Sequence, residues 1–462
     1  MRVQVKDKNA NVVAIIGGGF SGTMVAYHLL RQSDKPLQIT IFEPRTTLGL
    51  GLAYSTPCPD HLLNVPAAGM SAFVDQPLHF LHHAQTLDDR NTPETFVSRR
   101  QFGQYINGLF EAALREQVGH SFEHRTQTVV DIERRDGRYA LQLADGVAYD
   151  TDVVVLATGN LSGRPFRWAK AFADDARYLH DPWQSGAIEA IDINSDVLLL
   201  GTGLTAVDKL IELHNQQHRG RIWATSRHGL LPFAHVERWV GIKDERDWDD
   251  LDGPLGTLRG ALRQLRSRAL RNMVQDKEAW RPVFDGCRAN TQIWWQGLEL
   301  LEQKRFMRHL RTYYDVHRHR MAPRIDHVVQ EMRRDGRLQI IAGRVMGAHD
   351  NGGKIAVQLQ PRHGGDSIEL QLDCIINCTG PQGNVEAVEQ PLFRNLIAGG
   401  LASKNAMGSS LLVQANGSVG TFDDGFYAIG PLLQSQLLES VAVPELRVQA
   451  TNVAQAILRR FD

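Results

Sequence analysis

The stretch VVAIIGGGFSG (Val12–Gly22) decides the first half of the fold, because it joins a short apolar run, a glycine-rich turn and the start of a helical stretch. A second apolar run, ITIFEPR (Ile39–Arg45), follows it. A short apolar run bounded by glycines is typical of a buried parallel strand, and glycines spaced as G-x-G-x-x-G let the backbone approach a pyrophosphate. The stretch therefore predicts a strand–turn–helix–strand unit that binds a dinucleotide.

The same arrangement occurs a second time farther along the chain. VLLLGTGLTA (Val197–Ala206) supplies an apolar run, a glycine turn and a helical start, and RIWATSRHG (Arg221–Gly229) supplies the next strand. Glu43 in the first copy and Arg227 in the second both lie 26 residues after the first glycine of the turn. A single G-x-G-x-x-G is a weak signal, but two in this context predict two nucleotide cofactors on one chain.

The overall composition is that of an ordinary globular protein. The 462 residues suffice for two or three domains, 42% of them are hydrophobic, and 51 Lys and Arg nearly balance 52 Asp and Glu. No apolar run reaches the ~18 residues of a membrane span, and the apolar N-terminal run leads into the glycine turn rather than into a cleavage site. We therefore predict a cytoplasmic protein with a small-molecule substrate, bound to neither nucleic acid nor membrane; the oligomeric state stays open.

Two of the four cysteines lie close together, in DCIINCTG (Asp373–Gly380). On a strand, Cys374 and Cys378 would share a face but lie ~13 Å apart, which is too far for a disulfide. This spacing excludes a redox-active pair and favours structural thiols.

The repeat extends beyond the glycine turns. In each unit, three short strands joined by turns are predicted to form an antiparallel meander, which leads into an apolar strand ending in Thr-Gly. The predicted meander strands are Thr128–Arg134, Tyr139–Leu143 and Gly146–Tyr149 in the first unit, and Leu338–Val345, Lys354–Gln360 and Ser367–Leu372 in the second. The strands ending in Thr-Gly lie within Asp152–Asn160 and Asp373–Pro381. These patterns predict an α/β fold with two Rossmann-like dinucleotide-binding domains, each with a β-meander.

Between Asp244 and Arg337, helical periodicity replaces the strand pattern, as in LRGALRQLRSRALRNMV and LELLEQKRFMRHLRTYY. We interpret this segment as a helical insertion into the second unit. It is expected to overhang the cleft between the two nucleotide sites and to determine substrate specificity. The predicted domains are an FAD-binding domain of residues 1–165 and 386–462, and an NAD(P)H-binding domain of residues 166–385.

The first unit has the residue types that the pyrophosphate and ribose of a dinucleotide require. Gly17 permits the tight turn, Gly19 lets the backbone approach the pyrophosphate, and Gly22 allows the helix to pack closely on the strand. The helix begins near Ser21 and directs its N–H groups and positive dipole end towards the phosphates. Glu43, at the end of the next strand, is predicted to accept hydrogen bonds from ribose hydroxyls; taken alone, it could be a solvated carboxylate at a strand end.

In the second unit, Gly201 and Gly203 have the same roles, and Ala206 replaces the third glycine. The position of the acidic residue is taken by Arg227, preceded by Ser226. A carboxylate there would repel a 2′-phosphate, whereas an arginine binds it through charge-assisted, often bidentate, hydrogen bonds. The second nucleotide is therefore predicted to be NADPH rather than NADH.

Several stretches beyond the glycine turns resemble those of a known class of flavoproteins. The chain resembles the two-dinucleotide-binding flavoproteins and, within them, a bacterial group of FAD/NAD(P)-binding proteins related to lysine and ornithine N-hydroxylases and flavin monooxygenases. The stretches that carry the resemblance, which covers nearly the whole chain, are IIGGGFSG, GLGLAYST and HLLNVPAAGMSAF (within Gly49–Phe73), LLLGTGLTAVD, SRHGLLP, RFMRHLRTYYDVHRHRMAP (Arg305–Pro323) and YAIGPLLQSQLLESVAVPELR.

The resemblance implies that FAD binds the first unit and that NAD(P)H docks on the second and delivers hydride to the flavin. It also implies FAD contacts from residues outside the glycine turn: Leu63, Asn64 and Met70 beside the flavin, Val130 at the adenine through its backbone, and Gly430 and Pro431 at the flavin or its ribityl chain. The chain departs from the expected pattern at Gln434–Ser435, where a basic residue followed by glycine is expected. Contacts near the reactive edge of the flavin are therefore expected to differ.

The motif HRHRMAP is the most distinctive part of the insertion. No carboxylate or cysteine lies at a useful spacing from His317 and His319, so no metal site is predicted.

The arginines of the same motif allow two interpretations. Arg318 and Arg320 could hold an anionic substrate or the phosphates of the nicotinamide cofactor, or they could form a basic, solvated helix face with Tyr313 and Tyr314 buried. The tryptophans of QIWWQG, Trp294–Trp295, are expected to pack in a core rather than against a ligand.

Three functions fit a chain that binds both FAD and NADPH. The first, favoured by the resemblance and by the lack of a redox cysteine pair, is a monooxygenase that hydroxylates a small amine or related metabolite through a flavin (hydro)peroxide. The second is a reductase that passes electrons to a quinone or a protein acceptor. The third is a flavin-binding sensor or scaffold with little turnover. No residue outside the flavin stands out as a catalytic acid or base, and the substrate cannot be identified from the sequence.

Overall fold

The computed structural model describes residues 10–161, 166–236, 257–274, 276–380, 390–420, 425–434 and 436–462. The predicted domain limits at residues 165 and 385, the predicted start of the insertion at 244, and Ser435 lie outside these residues, so the domain division stays a prediction. The strands are β1 (Asn11–Ile16), β2 (Leu37–Phe42), β3 (Ser121–Arg125), β4 (Val129–Arg135), β5 (Arg138–Leu143), β6 (Ala148–Thr151), β7 (Val153–Leu156), β8 (Tyr178–Leu179), β9 (Val197–Leu200), β10 (Ile222–Ser226), β11 (Leu338–Asn351), β12 (Lys354–Pro361), β13 (Ile368–Leu372), β14 (Cys374–Asn377) and β15 (Phe426–Ala428). The α-helices are α1 (Phe20–Gln32), α2 (Gly51–Tyr54), α3 (His79–Leu87), α4 (Arg99–Glu116), α5 (Leu204–Asn215), α6 (Leu258–Asn272), α7 (Trp280–Gly286), α8 (Arg288–Gly297), α9 (Leu300–His309), α10 (Arg311–Arg318), α11 (Pro323–Arg334), α12 (Pro391–Ala398) and α13 (Val443–Phe461).

The first parallel sheet is built around β1. This strand is buried on both faces, which explains its continuous apolar sequence. It pairs in parallel with β2 and β7, and the whole sheet has the order β15–β7–β1–β2–β3. Helix α1, which follows β1, packs against α13. The C-terminal part of the chain therefore returns to the first sheet through both β15 and α13.

A three-stranded antiparallel sheet, β4–β5–β6, forms the first meander. β4 and β5 agree with the predicted strands to within one residue at each end, whereas β6 spans Ala148–Thr151 instead of Gly146–Tyr149, because Gly146 adopts φ +82° in the preceding turn. The sequence does not predict β3, which lies at the edge of the first sheet. Its residues, SFEHR, are partly exposed and lack the apolar alternation of a strand with one buried face.

The second sheet has seven strands in the order β13–β12–β11–β10–β9–β14–β8. The 14-residue β11 pairs in parallel with β10 through Ala342 and antiparallel with β12 from Gly343 onwards. Because β11 pairs with both β10 and β12, the parallel core and the second meander form one sheet. The strand continues to Asn351 instead of ending at the predicted Val345. The predicted fold class, α/β with two dinucleotide-binding units that each carry a meander, is confirmed.

In the described residues between β10 and β11, helices α6–α11 replace the strand pattern, as predicted. The stretch LELLEQKRFMRHLRTYY is divided at Leu310, which ends α9 and precedes α10. Trp295 is fully buried and packs with Phe306 and Leu438, which confirms its predicted core position, and Trp294 packs against the edge of this cluster. Among the helices of the described ranges, none combines the length and apolar character needed to cross a membrane.

The four cysteines are free thiols. Cys374 and Cys378 are buried in the core of the second unit, and burial raises the pKa of Cys374 to about 12. Both are therefore protonated structural thiols, as the sequence predicts.

The two units are joined by a buried ion pair. Arg99, at the start of α4, pairs in a bidentate manner with Asp208 of α5, with Nη1–Oδ2 and Nη2–Oδ1 distances of 2.7 and 3.0 Å. Nε of Arg99 also donates to the carbonyl of Leu62 at 3.1 Å. The side chains of Arg99 and Asp208 are only 15% and 9% exposed. One guanidinium therefore links α4, α5 and the HLLN segment (His61–Asn64).

The substitution Arg99→Met is expected to lower the free energy of unfolding by about 3 kcal/mol, because it leaves the Asp208 carboxylate buried without its partner. Urea denaturation followed by circular dichroism measures the change. Arg90→Met is the matched control, since Arg90 pairs with Asp88 on the surface at 86% exposure and its loss should leave the midpoint unchanged. Equal effects of the two substitutions would contradict the role of the Arg99–Asp208 pair.

Candidate functional site

The first glycine turn lies at the carboxyl edge of β1. The N–H of Gly17 donates to the carbonyl of Phe42 at 2.8 Å, and Gly17 has φ +106°, in the left-handed region that favours glycine. A Cβ at Gly17 would lie 2.3 Å from the carbonyl oxygen of Ala157, and a Cβ at Gly22 would lie 2.0 Å from the carbonyl oxygen of Gly17. Backbone approaches backbone so closely that side chains are excluded at both positions.

The N-terminus of α1 lies at this turn and can attract an anionic group. Gly19 is its N-cap and contributes no side-chain cap, so the dipole end of the helix is available to a phosphate. Gly430 lies beside the first turn of the helix, because a Cβ there would be 3.7 Å from Oγ of Ser21. The structure therefore brings together residues that the sequence predicts at the pyrophosphate and at the ribityl chain.

Glu43 lies at the end of β2 and is 5% exposed. Its Oε2 accepts a hydrogen bond from the N–H of Gly18 at 2.9 Å. Its Oε1 accepts from the backbone N–H and the guanidinium of Arg45 at 3.1 and 3.2 Å. The carboxylate is thus held against the glycine turn, and the alternative of a solvated carboxylate at a strand end is wrong.

The residues predicted beside the flavin lie in the core of the first unit and at its border with the second. Leu63 and Met70 are buried. The carbonyl of Asn64 accepts a hydrogen bond from Nε2 of His235 at 3.0 Å. Burial, with Arg320 nearby, lowers the pKa of His235 to about 4, so this imidazole is neutral at neutral pH.

The remaining predicted FAD contacts lie in the first meander and after β15. The carbonyl of Val130 accepts a hydrogen bond from Nδ2 of Asn395 at 3.0 Å, so this acceptor already has one partner. Pro431 lies in a short 3₁₀ turn, Gly430–Leu433, in which Gly430 has φ +82°.

Two buried polar atoms near the first turn have no hydrogen-bond partner among the described residues: Oγ1 of Thr158 and Nε2 of Gln449. Thr158 lies beside the turn, since its nitrogen is 3.1 Å from where a Cβ of Gly17 would be. Oε1 of Gln449 accepts the N–H of Gly430 at 2.9 Å. Because an unpaired buried polar group is costly, these residues fit a polar dinucleotide such as FAD at this site.

The second glycine turn repeats the geometry of the first. The N–H of Gly201 donates to the carbonyl of Thr225 at 2.7 Å, Gly201 has φ +109°, and a Cβ there would lie 2.5 Å from the carbonyl oxygen of Cys378. A Cβ added at Gly203 would have no atom within 4 Å. Ala206 is fully buried in the core of the second unit. A close backbone approach is therefore required at the first position of this turn but not at Gly203.

The loop after β10 carries Arg227, and Arg362 contacts this loop from the end of β12. Oγ of Ser226 accepts hydrogen bonds from Oγ1 of Thr202 at 2.8 Å and from the N–H of Gly229 at 3.0 Å, so Ser226 shapes the loop. The side chain of Arg227 is exposed, and its carbonyl accepts a hydrogen bond from Nη1 of Arg362 at 3.0 Å. Arg362 follows β12 and lies 135 residues after Arg227, so no local sequence pattern indicates that the two are close. Arg362 therefore places a second guanidinium group at the loop that carries Arg227, and guanidinium groups are well suited to bind anions such as phosphate.

The arginines of HRHRMAP form buried ion pairs. Arg318 donates to Glu439 through Nε and Nη2 at 2.6 and 2.9 Å, and the two side chains are 9% and 6% exposed. Arg320 pairs with Asp285 and is 4% exposed. Both arginines are therefore in ion pairs with carboxylates of the protein, which excludes the alternative of a solvated basic face and leaves Arg318 unavailable to a substrate. Tyr313, which that alternative places in the core, is 43% exposed.

Glu439 is the centre of this contact between the insertion and the segment before α13. Burial raises its pKa, but the ion pair with Arg318 and the hydrogen bond from Tyr314 outweigh burial and lower the pKa to about 2. Glu439 is therefore ionised at neutral pH and holds α10 against the first unit.

The histidines of HRHRMAP also take structural positions. The ring of His317 packs against Phe233, Trp280 and Phe284, with centroid distances of 4.7, 4.9 and 5.5 Å. In the described part of the chain, no three His, Cys, Asp or Glu side chains are grouped so that they could hold a metal ion.

A polar cavity of about 460 Å³ lies between the α7–α8 part of the insertion and α13. At its wall, Arg288 pairs in a bidentate manner with Glu445, with both distances 2.7 Å. Three other lining residues each have one buried polar atom without a partner among the described residues: Oε1 of Gln292, Nε of Arg447 and Nε2 of Gln449. The cavity therefore fits a ligand group that both donates and accepts hydrogen bonds.

Gly22→Ala is expected to lower the thermal midpoint of the cofactor-free protein by several degrees, because overpacking of this kind costs ~1–3 kcal/mol. The added methyl group would meet the carbonyl oxygen of Gly17. Gly203→Ala is the control, since no atom lies within 4 Å of its added Cβ, and it should leave the midpoint unchanged. Differential scanning fluorimetry compares the two, and a stable Gly22→Ala protein would contradict the close approach.

Comparisons with known proteins agree with this architecture. A family model described as FAD-NAD(P)-binding matches residues 14–161, so the first unit is similar to FAD/NAD(P)-binding domains. The uncharacterized protein YdhS of Escherichia coli (strain K12) is 26% identical over 213 residues. This match spans 42% of the chain and only 38% of YdhS.

Solved structures with the same fold include two ornithine hydroxylases. The reduced form of PvdA from Pseudomonas aeruginosa has a TM-score of 0.66 at 16% identity, covering 98% of this chain and 100% of that chain. KtzI from Kutzneria sp. 744, with reduced FAD, NADP⁺ and L-ornithine, has a TM-score of 0.65 at 16% identity with the same coverage. The resemblance to N-hydroxylases predicted from the sequence is thus confirmed at the level of the fold.

Proposed function

We propose that this protein is an FAD- and NADPH-dependent monooxygenase that hydroxylates a small amine or related metabolite. The observation that carries the proposal is the presence of two matching glycine turns, each at the carboxyl edge of its own sheet, in units joined by Arg99 and Asp208. In the overall reaction, substrate, O₂, NADPH and a proton give the hydroxylated substrate, NADP⁺ and water. One oxygen atom enters a C–H or N–H bond of the substrate, and the two electrons from NADPH reduce the other to water.

The first unit is the proposed FAD site. Gly17, Gly19 and Gly22, with the N-terminus of α1 at Ser21, would hold the pyrophosphate, and Glu43 would accept hydrogen bonds from the ribose. When bound, FAD supplies the capacity to accept hydride and to react with oxygen. The unpaired Oγ1 of Thr158 and Nε2 of Gln449 support this assignment. The other proposed FAD contacts are Leu63, Asn64, Met70, Val130, Gly430 and Pro431.

The second unit is the proposed NADPH site. Gly201, Gly203 and Ala206 would place the pyrophosphate at the N-terminus of α5, and Ser226 would shape the loop that receives the adenosine ribose. Arg227 would bind the 2′-phosphate, and the guanidinium of Arg362 beside it supports this role. We also propose that residues 1–165 and 386–462 form the FAD domain and that residues 166–385, with the insertion, form the NADPH domain.

A monooxygenase is favoured over a disulfide reductase by the state of the cysteines. Reduction of a disulfide requires an accessible thiol pair, whereas Cys374 and Cys378 are buried and unpaired. The insertion is held against the segment around the start of α13 by the ion pairs of Arg318 with Glu439 and of Arg288 with Glu445. This cover would limit the access of water to the cleft, which favours oxygen chemistry.

Oxygen dependence tests the proposal. With FAD bound, NADPH oxidation is expected to be stimulated by an amine from a panel of alkyl and aryl amines, to stop when oxygen is removed, and to yield a product heavier by one oxygen atom in mass spectrometry. Undiminished anaerobic oxidation with menadione as acceptor would establish a reductase instead. Failure of both NADPH and NADH to reduce the flavin would favour a sensor or scaffold.

Arg227→Glu is expected to lower the preference for NADPH over NADH, measured as the ratio of kcat/KM values, by about 10- to 100-fold, because a charge-assisted hydrogen bond is replaced by repulsion. Arg362→Gln should lower the same ratio to a smaller extent. Arg221→Gln is the control, because Arg221 lies at the opposite end of β10. An unchanged ratio in Arg227→Glu would remove the 2′-phosphate assignment.

A further inference from the structure

The helical insertion contains a second cavity, of about 520 Å³, between α6 and helices α7–α10. Aromatic rings such as Phe284, Trp294 and Tyr314 form one wall, and aliphatic side chains of α6, including Leu265 and Ala269, form the other. This volume lies in the range of small-molecule sites, which are mostly apolar with a few placed polar groups. The cavity is separate from the polar cavity, since α7 and α8 lie between the two.

Three polar groups in the wall of this cavity already form hydrogen bonds within the protein. Oγ1 of Thr291 donates to the carbonyl of Cys287 at 2.8 Å, the Cys287 thiol donates to a carbonyl one turn earlier at 3.5 Å, and the Tyr314 hydroxyl donates to Glu439. Trp294 differs, because its indole N–H is buried and has no partner among the described residues. A ligand that presents a single hydrogen-bond acceptor would satisfy this donor.

The cavity adjoins the proposed NADPH site. Tyr313 lines the cavity, and its hydroxyl lies 3.3 Å from Nδ1 of His228, in the loop that carries Arg227. Phe233, which follows this loop, also lines the cavity, and its N–H donates to the carbonyl of Val316 in α10 at 2.9 Å. A molecule in the cavity would therefore lie beside the loop that is proposed to receive the adenosine end of NADPH.

We propose that this cavity binds a small, uncharged and mainly apolar molecule, a ring or chain system that carries one hydrogen-bond acceptor for the Trp294 N–H. Binding at this site does not depend on the proposed function. A charged ligand would lose its hydration against the aromatic wall, and Arg266, the arginine in the lining, is exposed on α6. A small zwitterion such as L-ornithine, the ligand of KtzI, therefore does not suit this cavity.

The probe 6-propionyl-2-dimethylaminonaphthalene tests the proposal, because it is a neutral aromatic ketone whose emission shifts to the blue in apolar surroundings. Titration of the full chain, without NADPH, should give saturable, blue-shifted emission. Trp294→Phe keeps a ring but removes the donor, and it should weaken binding by about 3- to 10-fold. Ala269→Trp fills the cavity and should abolish binding. Trp223→Phe is the control, since its indole donates to Gln339 at 3.1 Å, away from the cavity.

Absence of saturable binding, or equal binding to the wild type and to folded Ala269→Trp, would overturn the site. If Ala269→Trp lacks a cooperative thermal transition, Leu262→Glu replaces it, because Leu262 lines the cavity and is 43% exposed. Because the titration needs neither NADPH nor oxygen, a failure of the proposed activity is distinguishable from a failure of binding.

Discussion

The close approach of backbone to backbone at the two glycine turns is the constraint on which the rest of the structure depends. A Cβ at Gly17 or Gly201 would lie 2.3 or 2.5 Å from the carbonyl oxygen at the end of a neighbouring strand, that of Ala157 or Cys378. Each turn therefore packs against the end of the neighbouring strand through backbone atoms. Because α1 and α5 begin directly after these turns, their dipole ends lie at the carboxyl edges of the two sheets, where a dinucleotide can bind.

Buried ion pairs then fix the positions of the insertion and of the carboxyl edges of the two sheets relative to one another. Arg99 and Asp208 join the units, while the pairs of Arg318 with Glu439 and of Arg288 with Glu445 hold the insertion against the segment around the start of α13. Such pairs add little net stability compared with apolar packing, because burying charges costs much of what their attraction returns. However, a bidentate ion pair holds its two side chains in one relative orientation. These pairs are therefore suited to keep the two units and the insertion in fixed positions.

The sequence predicts the features that depend on neighbouring residues, and it misses those that depend on distant ones. The glycine turns, the apolar strands and the Thr-Gly endings follow from residue type and short spacing, and they account for the fold class. Arg99 and Arg362 carry no local signal, because their partners lie 109 and 135 residues away. The role of Arg318 stays open in the sequence for a related reason. A basic run is compatible with an anion site or with a solvated face until the carboxylate that neutralises it, here Glu439, is known to lie opposite.

The insertion shows how one pair of helices can separate two chemical environments. Asp285, Arg288 and Gln292 line the polar cavity beside α13, whereas Phe284 and Trp294 line the apolar cavity beside α6. Because side chains three or four positions apart share a helix face, the alternation of polar and apolar residues along α7 and α8 gives each cavity its own wall. The polar face is bound to the first unit through Arg288. The insertion can therefore present an apolar cavity to a ligand while its opposite face keeps it fixed over the cofactor-binding unit.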